Sequence, residues 1–304
     1  MRLSDLGEKR LIQRLARTIK TDRTVIQGIG DDCAVLAGRG NKYLLFASDM
    51  LVEAVHFNRA TRPEAIGWKA LAVNVSDIAA MGGIPRYAVV SLGCPKNLRV
   101  QFVDRLYRGL RRCADRYGVN LVGGDTNRSS RIVIDVAILG EVERKRVVYR
   151  SGARAGDALL VTGRLGGSLR SGRHLTFTPR LYEARALGGK FRLHAMIDLS
   201  DGLGPDLTRL CEASRLSACL EAAQIPRAKG CSLAQALTDG EDFELLIAVA
   251  ESDANPLLAW AKRHIDCKLT RIGRMIPRGK GSPVRIVAPY GTRPPASLAG
   301  FEHF

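Results

Sequence analysis

The run Lys69-Ala70-Leu71-Ala72-Val73-Asn74-Val75-Ser76-Asp77-Ile78-Ala79-Ala80-Met81, followed by Gly82-Gly83 and Pro85, decides how the chain is organised. It ends a segment, Arg62 to Met81, whose spacing is helical and whose close carries glycine and proline stop signals. Ala70, Val73, Asp77 and Met81 fall on one face by the i, i+3, i+4 rule, and that face is otherwise apolar. An ionised carboxylate there is costly unless it is paired or holds a metal. The helical pattern continues past Asp77, which excludes a solvent-facing N-cap. Asp77 is therefore predicted to be a metal ligand, with Asn74 one turn earlier as support.

Strand and helix patterns alternate on either side of this helix. A first helix, capped by Ser4 or Asp5, is predicted to about Ile19. Lys42 to Ser48 and Tyr87 to Leu92 read as strands. Asn97 is expected to cap a second long helix to about Tyr117, with a short buried strand at Val119 to Val122. Alternation of Ile132, Ile134, Val136 and Ile138 marks a strand over Arg131 to Val142. The pattern breaks between Glu143 and Asp157, which divides the chain into an N-terminal domain, 1–145, and a C-terminal domain, 146–304.

The second half opens with a strand at Ala158 to Thr162 and a mobile Gly-, Ser- and Arg-rich loop from Gly163 to about Thr178. A helix follows, then a strand at His194 to Leu199, a helix at Gly204 to Ser214 and a strand at Glu244 to Ala250. A last helix, Ser252 to His264, precedes strands near Leu269 to Met275 and Val284 to Ala288. Such alternation predicts an α/β or α+β architecture.

The 304 residues suit two domains with separate cores, and no apolar run approaches the ~18 residues of a membrane span. The start of the chain has no apolar leader, and the seven cysteines are scattered with no CxxC pair. These features predict a reduced, cytoplasmic protein with neither a zinc site nor a disulfide framework. A net charge of +17 raises the question of nucleic acid. The densest basic stretches, Arg105 to Arg116, Arg144 to Arg154 and Arg274 to Lys280, lack the interleaved aromatics of a single-strand platform. The charge is read as a solvated surface, with attraction of phosphorylated substrates as the main alternative.

Against that basic background the acids cluster beside small residues. The clusters are Gly28-Ile29-Gly30-Asp31-Asp32, Ala47-Ser48-Asp49, Val75-Ser76-Asp77, Gly123-Gly124-Asp125-Thr126, Asp198-Leu199-Ser200-Asp201-Gly202 and Asp239-Gly240-Glu241-Asp242. Several lie where an apolar strand ends, the usual ligand position in α/β folds. Hard oxygen ligands of this kind suit Mg²⁺ together with substrate phosphates, and glycine lets backbone N–H groups approach phosphate oxygens. One such pair is only a turn; six in one chain point to chemistry. No GxxxxGK[ST], HExxH or GxSxG occurs, and the five histidines are dispersed. His56, just beyond the strand ending at Asp49, is either a hydrogen-bonded structural residue or a substrate contact.

These motifs, in this order, resemble the thiamine-monophosphate kinase family, whose superfamily includes aminoimidazole ribonucleotide synthetase, selenophosphate synthetase and a hydrogenase maturation factor. The resemblance runs through 28–34, 48–57, 69–82, 122–126, 149–153, 197–203 and 240–245 to the terminal Gly-Phe-Glu-His-Phe. It implies direct transfer of the ATP γ-phosphoryl group to thiamine monophosphate, with no phosphoenzyme. By matching motif, Asp32, Ser48, Asp49, Asp77, Asp125, Asp198 and Asp201 would hold several Mg²⁺ ions. Asp49, Asp77, Asp125 and Arg150 would form the catalytic set, with Gly124, Asp125, Arg150 and Ser200 on ATP. His56, Glu241 and Leu298 would meet the thiamine moiety, Leu298 standing where relatives commonly carry Trp. The implied fold is that of aminoimidazole ribonucleotide synthetase, with N-terminal domains forming a shared β-barrel in a homodimer. Two alternatives stay open, a different phosphorylated acceptor and a catalytically silent nucleotide-binding protein.

Overall fold

In the computed structural model, which describes residues 2–288, 298 and 300, two six-stranded sheets flank one long buried helix. The first sheet contains β1 (Val25–Gln27), β2 (Ala34–Ala37), β3 (Lys42–Val52), β4 (Ile84–Cys94), β5 (Asn120–Arg128) and β6 (Val133–Glu143). Its order is β1-β2-β3-β6-β4-β5, antiparallel except for the β4–β5 pair. The second contains β7 (Ala158–Thr162), β8 (Leu193–Asp198), β9 (Ser217–Glu221), β10 (Leu245–Val249), β11 (Leu269–Ile276) and β12 (Val284–Val287). Its order is β12-β9-β11-β7-β10-β8, with only β12–β9 parallel.

Nine α-helices are described: α1 (Leu3–Leu6), α2 (Glu8–Ala16), α3 (Pro63–Ala80), α4 (Val100–Tyr117), α5 (Ser168–Ser171), α6 (Leu181–Lys190), α7 (Leu203–Ser214), α8 (Leu233–Thr238) and α9 (Glu251–His264). The quoted run lies in α3. Pro63 occupies its first turn, where no N–H is needed, and nearly all of its residues are buried. It packs against α4, against β3 and β6 of the first sheet, and against β8 of the second. That position explains why its sequence is apolar on almost every face.

One core joins α3 and α4 to Ile134, Val136 and Ile138 of β6 and continues onto Leu160, Met196 and Ile247 of the second sheet. The other face of that sheet, through Leu159, Val161, Ile197 and Leu246, packs with Leu203, Leu207 and Leu210 of α7. Strands β7 and β10 are thus buried on both faces and read as unbroken apolar runs rather than alternating ones.

Four sequence expectations differ from the structure. The first helix is two, α1 and α2, because Gly7 turns the chain with φ 73°. Asn97 is not a cap; a turn closed by the Leu98 N–H on the Pro95 carbonyl precedes α4, whose cap position is Arg99. The short buried strand at Val119 to Val122 is instead a nine-residue edge strand, β5, mostly exposed. The 163–178 segment holds α5 and a 3₁₀ turn at Arg173–Leu175, fastened by hydrogen bonds from Gly166 N–H to Asp242 and Gly167 N–H to Asp239. All seven cysteines are free. Among the described residues no helix is long and apolar enough to cross a membrane. Phe301 to Phe304 of the terminal motif lie outside the described residues.

Candidate active site

Three carboxylates from three separate parts of the chain converge beside α3. Asp32 follows β1, Asp77 lies in the last turns of α3, and Asp198 ends β8. One oxygen from each lies within 4.8 Å of the others. Asp49, on the face of β3 that looks toward α3, stands beside Asp77, close enough for each carboxyl to shift the other. Burial pushes the Asp77 carboxyl well above the usual range, and the charges of Asp49, Asp198 and Asp32 push it further. Burial and then Asp32 raise Asp198 in the same way. Carboxylates held so close need a counter-charge or shared protons to coexist.

Two neighbours partly supply it. Arg150 Nη2 donates to Asp32 Oδ1 across 2.6 Å, while its backbone N–H reaches the Asp31 carboxylate at 3.1 Å. Asp32 Oδ2 is buried with no hydrogen-bond partner. Asp31 is pushed up to about 7, by burial and then by the charge of Asp32. Ser76, one residue before Asp77, donates to Asp198 Oδ2 at 2.6 Å. An acid cluster with an orphaned buried oxygen fits a hard divalent cation such as Mg²⁺, which takes carboxylates in addition to water and phosphate.

A cleft of about 560 Å³ opens from this cluster. Among the described residues, Glu8, Asp49, Asp77, Asp201, Asp239 and Glu241 line it, with Lys69 as the one lysine or arginine. Leu51, Val52, Val55, Val73, Leu169 and Phe243 give it apolar walls, and His56 and Ser200 complete it. An acidic, partly apolar cleft in a chain of net charge +17 selects cations, whether metal ions or a positively charged aromatic ring. Asp201, beside Ser200, is ion-paired with Arg209 of α7.

The structure therefore gathers Asp32, Asp49, Asp77, Asp198 and Arg150 in one cluster, with Ser200, Asp201, His56 and Glu241 along the cleft. Other expected site residues lie elsewhere in the single chain. Ser48 points to the outer face of the first sheet and donates to Asp135 Oδ1 at 2.9 Å. Gly124 and Asp125 lie on β5, where Asp125 accepts from the Thr126 N–H and the Asn127 amide at 2.8 Å each. Leu298 packs on the second core, close to Gly204, and is not among the residues lining the cleft.

Ser76 and Asp239 fall within the acidic clusters that the sequence displays but are given no role there, and Lys69 and Glu8 are not singled out at all. The signal for Lys69 is a cation at the head of the mostly apolar stretch Ala70 to Val75. Ser76 carries no such signal, since its partner lies 122 residues away.

The family described as AIR synthase related protein, N-terminal domain, matches residues 30–142, and the corresponding C-terminal domain family matches 154–285. The chain is 35% identical to the thiamine-monophosphate kinase of Aquifex aeolicus, over 92% of this chain and 95% of that one. It is 33% identical to the enzyme of that name from Escherichia coli, over 88% and 90% of the two chains. The structure of AaThiL complexed with AMPPCP and TMP superposes with a TM-score of 0.84 at 34% identity, covering 100% of this chain and 99% of that one. Hydrogenase maturation protein HypE shares the fold at 20% identity and a TM-score of 0.70. Two adjoining domain matches, whole-length identity to named kinases and the convergent acid cluster lead to one conclusion: this chain belongs to the thiamine-monophosphate kinase family of enzymes.

Proposed function

We propose that the protein transfers the γ-phosphoryl group of ATP directly to thiamine monophosphate, giving thiamine diphosphate and ADP. The observation that carries this reading is the cleft itself, acidic and apolar together, opening from three convergent carboxylates. Thiamine monophosphate is a cationic heteroaromatic ring joined to a phosphate, so one end suits the acidic, apolar walls and the other needs cations. The relatives named above support the same substrates.

An oxygen of the acceptor phosphate forms the new bond to the γ-phosphorus, and the bond to the bridging oxygen breaks as ADP leaves. The nucleophile is already anionic, so no strong general base is needed. The obstacle is repulsion between two polyanions held in line. Asp32, Asp77 and Asp198, with Asp49 and Asp201 beside them, would hold Mg²⁺; when bound, it neutralises phosphoryl oxygens and orients them. Arg150, anchored on Asp32, presents its remaining guanidinium N–H groups to the nucleotide phosphates, and Ser200 contributes a hydroxyl. His56 and Glu241 receive the thiamine moiety between Leu51, Val52 and Phe243.

We take 1–145 and 146–304 as the two domains and the cytoplasm as the site of reaction. A homodimer formed through the outer face of the first sheet is part of the same reading. Phe46, Met50, Tyr87, Val89 and Val122 are exposed there, an apolar patch of the kind that marks an interface. Ser48, Gly124, Asp125 and Asp135 lie on or beside that face, so a second copy would bury them. The assignment of Ser48, Gly124 and Asp125 to metal and nucleotide belongs to the dimer. The acceptor contact that the resemblance implies for Leu298 is kept only as part of this proposal, since its side chain packs on the second core beside Gly204.

The test is formation of ADP and thiamine diphosphate from ATP, Mg²⁺ and thiamine monophosphate, with free thiamine as control. Product with the monophosphate alone is the expected result. ATP binding without thiamine diphosphate formation would overturn the acceptor.

A further inference from the structure

Lys69 is the largest fully buried side chain of the described residues, with 1% of its surface exposed, and no sequence motif assigned it a role. It lies on α3 two turns before Asp77. Its ammonium pairs with Glu241 Oε2 at 2.6 Å and donates to the His56 carbonyl at 3.3 Å. One group thus holds the turn at 53–57, which follows the first sheet's β3, and the loop at 240–243, which precedes the second sheet's β10.

Both segments are conformationally strained. Ala54 has φ 68° in the turn, while Glu241 and Phe243 have φ 58° and 49° in the loop. Left-handed conformations at residues other than glycine cost energy and persist only where surrounding contacts impose them. Each segment is held by bonds of its own, among them Phe243 N–H on the Leu199 carbonyl and Gly166 N–H on the Asp242 carboxylate. The turn is closed by the Ala54 N–H on the Phe57 carbonyl and by His56 N–H on the Val52 carbonyl, and the loop by Glu241 N–H on the Ser200 carbonyl. Lys69 contacts both, through the Glu241 carboxylate and the His56 carbonyl. A buried ion pair of this sort is weak evidence for stability, since well-packed apolar residues often replace one without loss. The side chain's placement between two strained walls of the cleft therefore calls for a different explanation.

We propose that Lys69 is a positioning residue, which fixes the spacing between the His56 turn and the Glu241 loop and so shapes the acceptor end of the cleft. The inference rests on reading that end as the acceptor site. Lys69 neutralises Glu241 and leaves its second carboxylate oxygen to accept hydrogen bonds from the acceptor. It holds the His56 backbone from behind, while the imidazole Nδ1 accepts from the Val52 N–H at 3.0 Å and fixes the ring. Burial lowers the ammonium's pKa, Glu241 and Asp49 act against that, and the group has no need to exchange a proton.

Two variants of the full chain test this, Lys69→Met and the double variant Lys69→Met with Glu241→Gln. The second removes both charges at once and leaves no buried carboxylate unpaired, so it folds where the first fails. Amide hydrogen exchange without ligands is expected to speed up by about tenfold in 53–57 and 240–243, with β7 and α4 unchanged. For turnover, the KM for thiamine monophosphate is expected to rise by about tenfold and that for ATP to stay within about twofold. Unchanged exchange in the two segments, acceleration spread over the whole chain, or equal rises in both KM values would each overturn the proposal. If the wild-type protein fails to use thiamine monophosphate, the functional reading falls while the exchange measurement still decides the role of Lys69.

Discussion

Ser76 on α3 donates its hydroxyl hydrogen to Asp198 Oδ2 at the end of β8, at 2.6 Å, and both residues are buried. This bond ties the helix of the first half to a strand of the second beside the acid cluster, and fixes one of Asp198's two oxygens. One oxygen of the same carboxylate lies within 4.8 Å of oxygens of Asp32 and Asp77. Ser76→Ala is expected to cost about 1–3 kcal/mol of stability, because a buried acceptor loses its donor. It should also weaken Mg²⁺ binding by about tenfold, as loss of a group that orients a ligand commonly does. Turnover measured against Mg²⁺ concentration checks this. An unchanged half-saturation point would mean that Ser76 does not orient Asp198.

Asp77→Asn keeps the shape of the side chain and removes one charge from the cluster. Turnover is expected to fall by about a hundredfold or more, since the group holding the counter-charge to the phosphates is weakened. Stability without metal should move the other way. Asp77 is crowded by Asp49, Asp198 and Asp32, and removing one of several buried like charges relieves repulsion. The metal-free variant should therefore melt above metal-free wild type, while added Mg²⁺ raises its melting temperature less. Wild-type turnover at limiting Mg²⁺ would remove Asp77 from the metal site.

Much of this was legible in the sequence because it is local. Helix α3 and strands β6 and β7 carry their periodicities and stop signals within a few residues, and Asp77 stands out as a charge on an apolar helix face. Shared geometry was harder to read. Asp32, Asp77 and Asp198 converge although 45 and 121 residues separate consecutive members, and only the resemblance joined them in advance. Ser48 and Asp49 are adjacent, yet a strand sends them to opposite faces, so both cannot serve one cluster in one chain. Strand β5 was misread because Val119 to Val122 looks apolar, whereas an edge position leaves most of the strand in solvent. The partners of Lys69 and Ser76 are tertiary, and no local pattern encodes them.

The Asp242 carboxyl is pushed up to about 7 by burial, against the Gly166 N–H and Arg173, which favour its charged form. In the unfolded chain it titrates near 4. A group whose folded pKa is raised takes up protons on folding, so its contribution is fully present below pH 4 and is lost as the pH rises to about 7. Asp242→Asn removes that dependence. Urea denaturation at pH 4 and pH 7 should show wild type losing on the order of 3 kcal/mol more stability over this window than the variant. Parallel losses in the two proteins would place the titration elsewhere.

The outer face of the first sheet supplies the last prediction. Strand register places Phe46, Leu139 and Tyr87 in one row, Ser48, Ala137 and Val89 in the next, and Met50, Asp135, Ser91 and Asp125 in a third. The first row is apolar, the second sets Ala137 and Val89 beside Ser48, and the third is polar apart from Met50, so a second copy packed here would seal the apolar side chains while enclosing Ser48 and Asp125. Phe46→Lys with Val89→Lys places two charges on the apolar rows without touching the cleft. Sedimentation velocity should then give a monomer where wild type is a dimer, because an isolated buried charge at an interface core costs more than the contact returns. Turnover should fall with dissociation, since Ser48 and Asp125 lose the second copy that covers them. A variant that stays dimeric would move the interface to another surface. A monomer with wild-type turnover would keep the interface and remove Ser48 and Asp125 from the reaction.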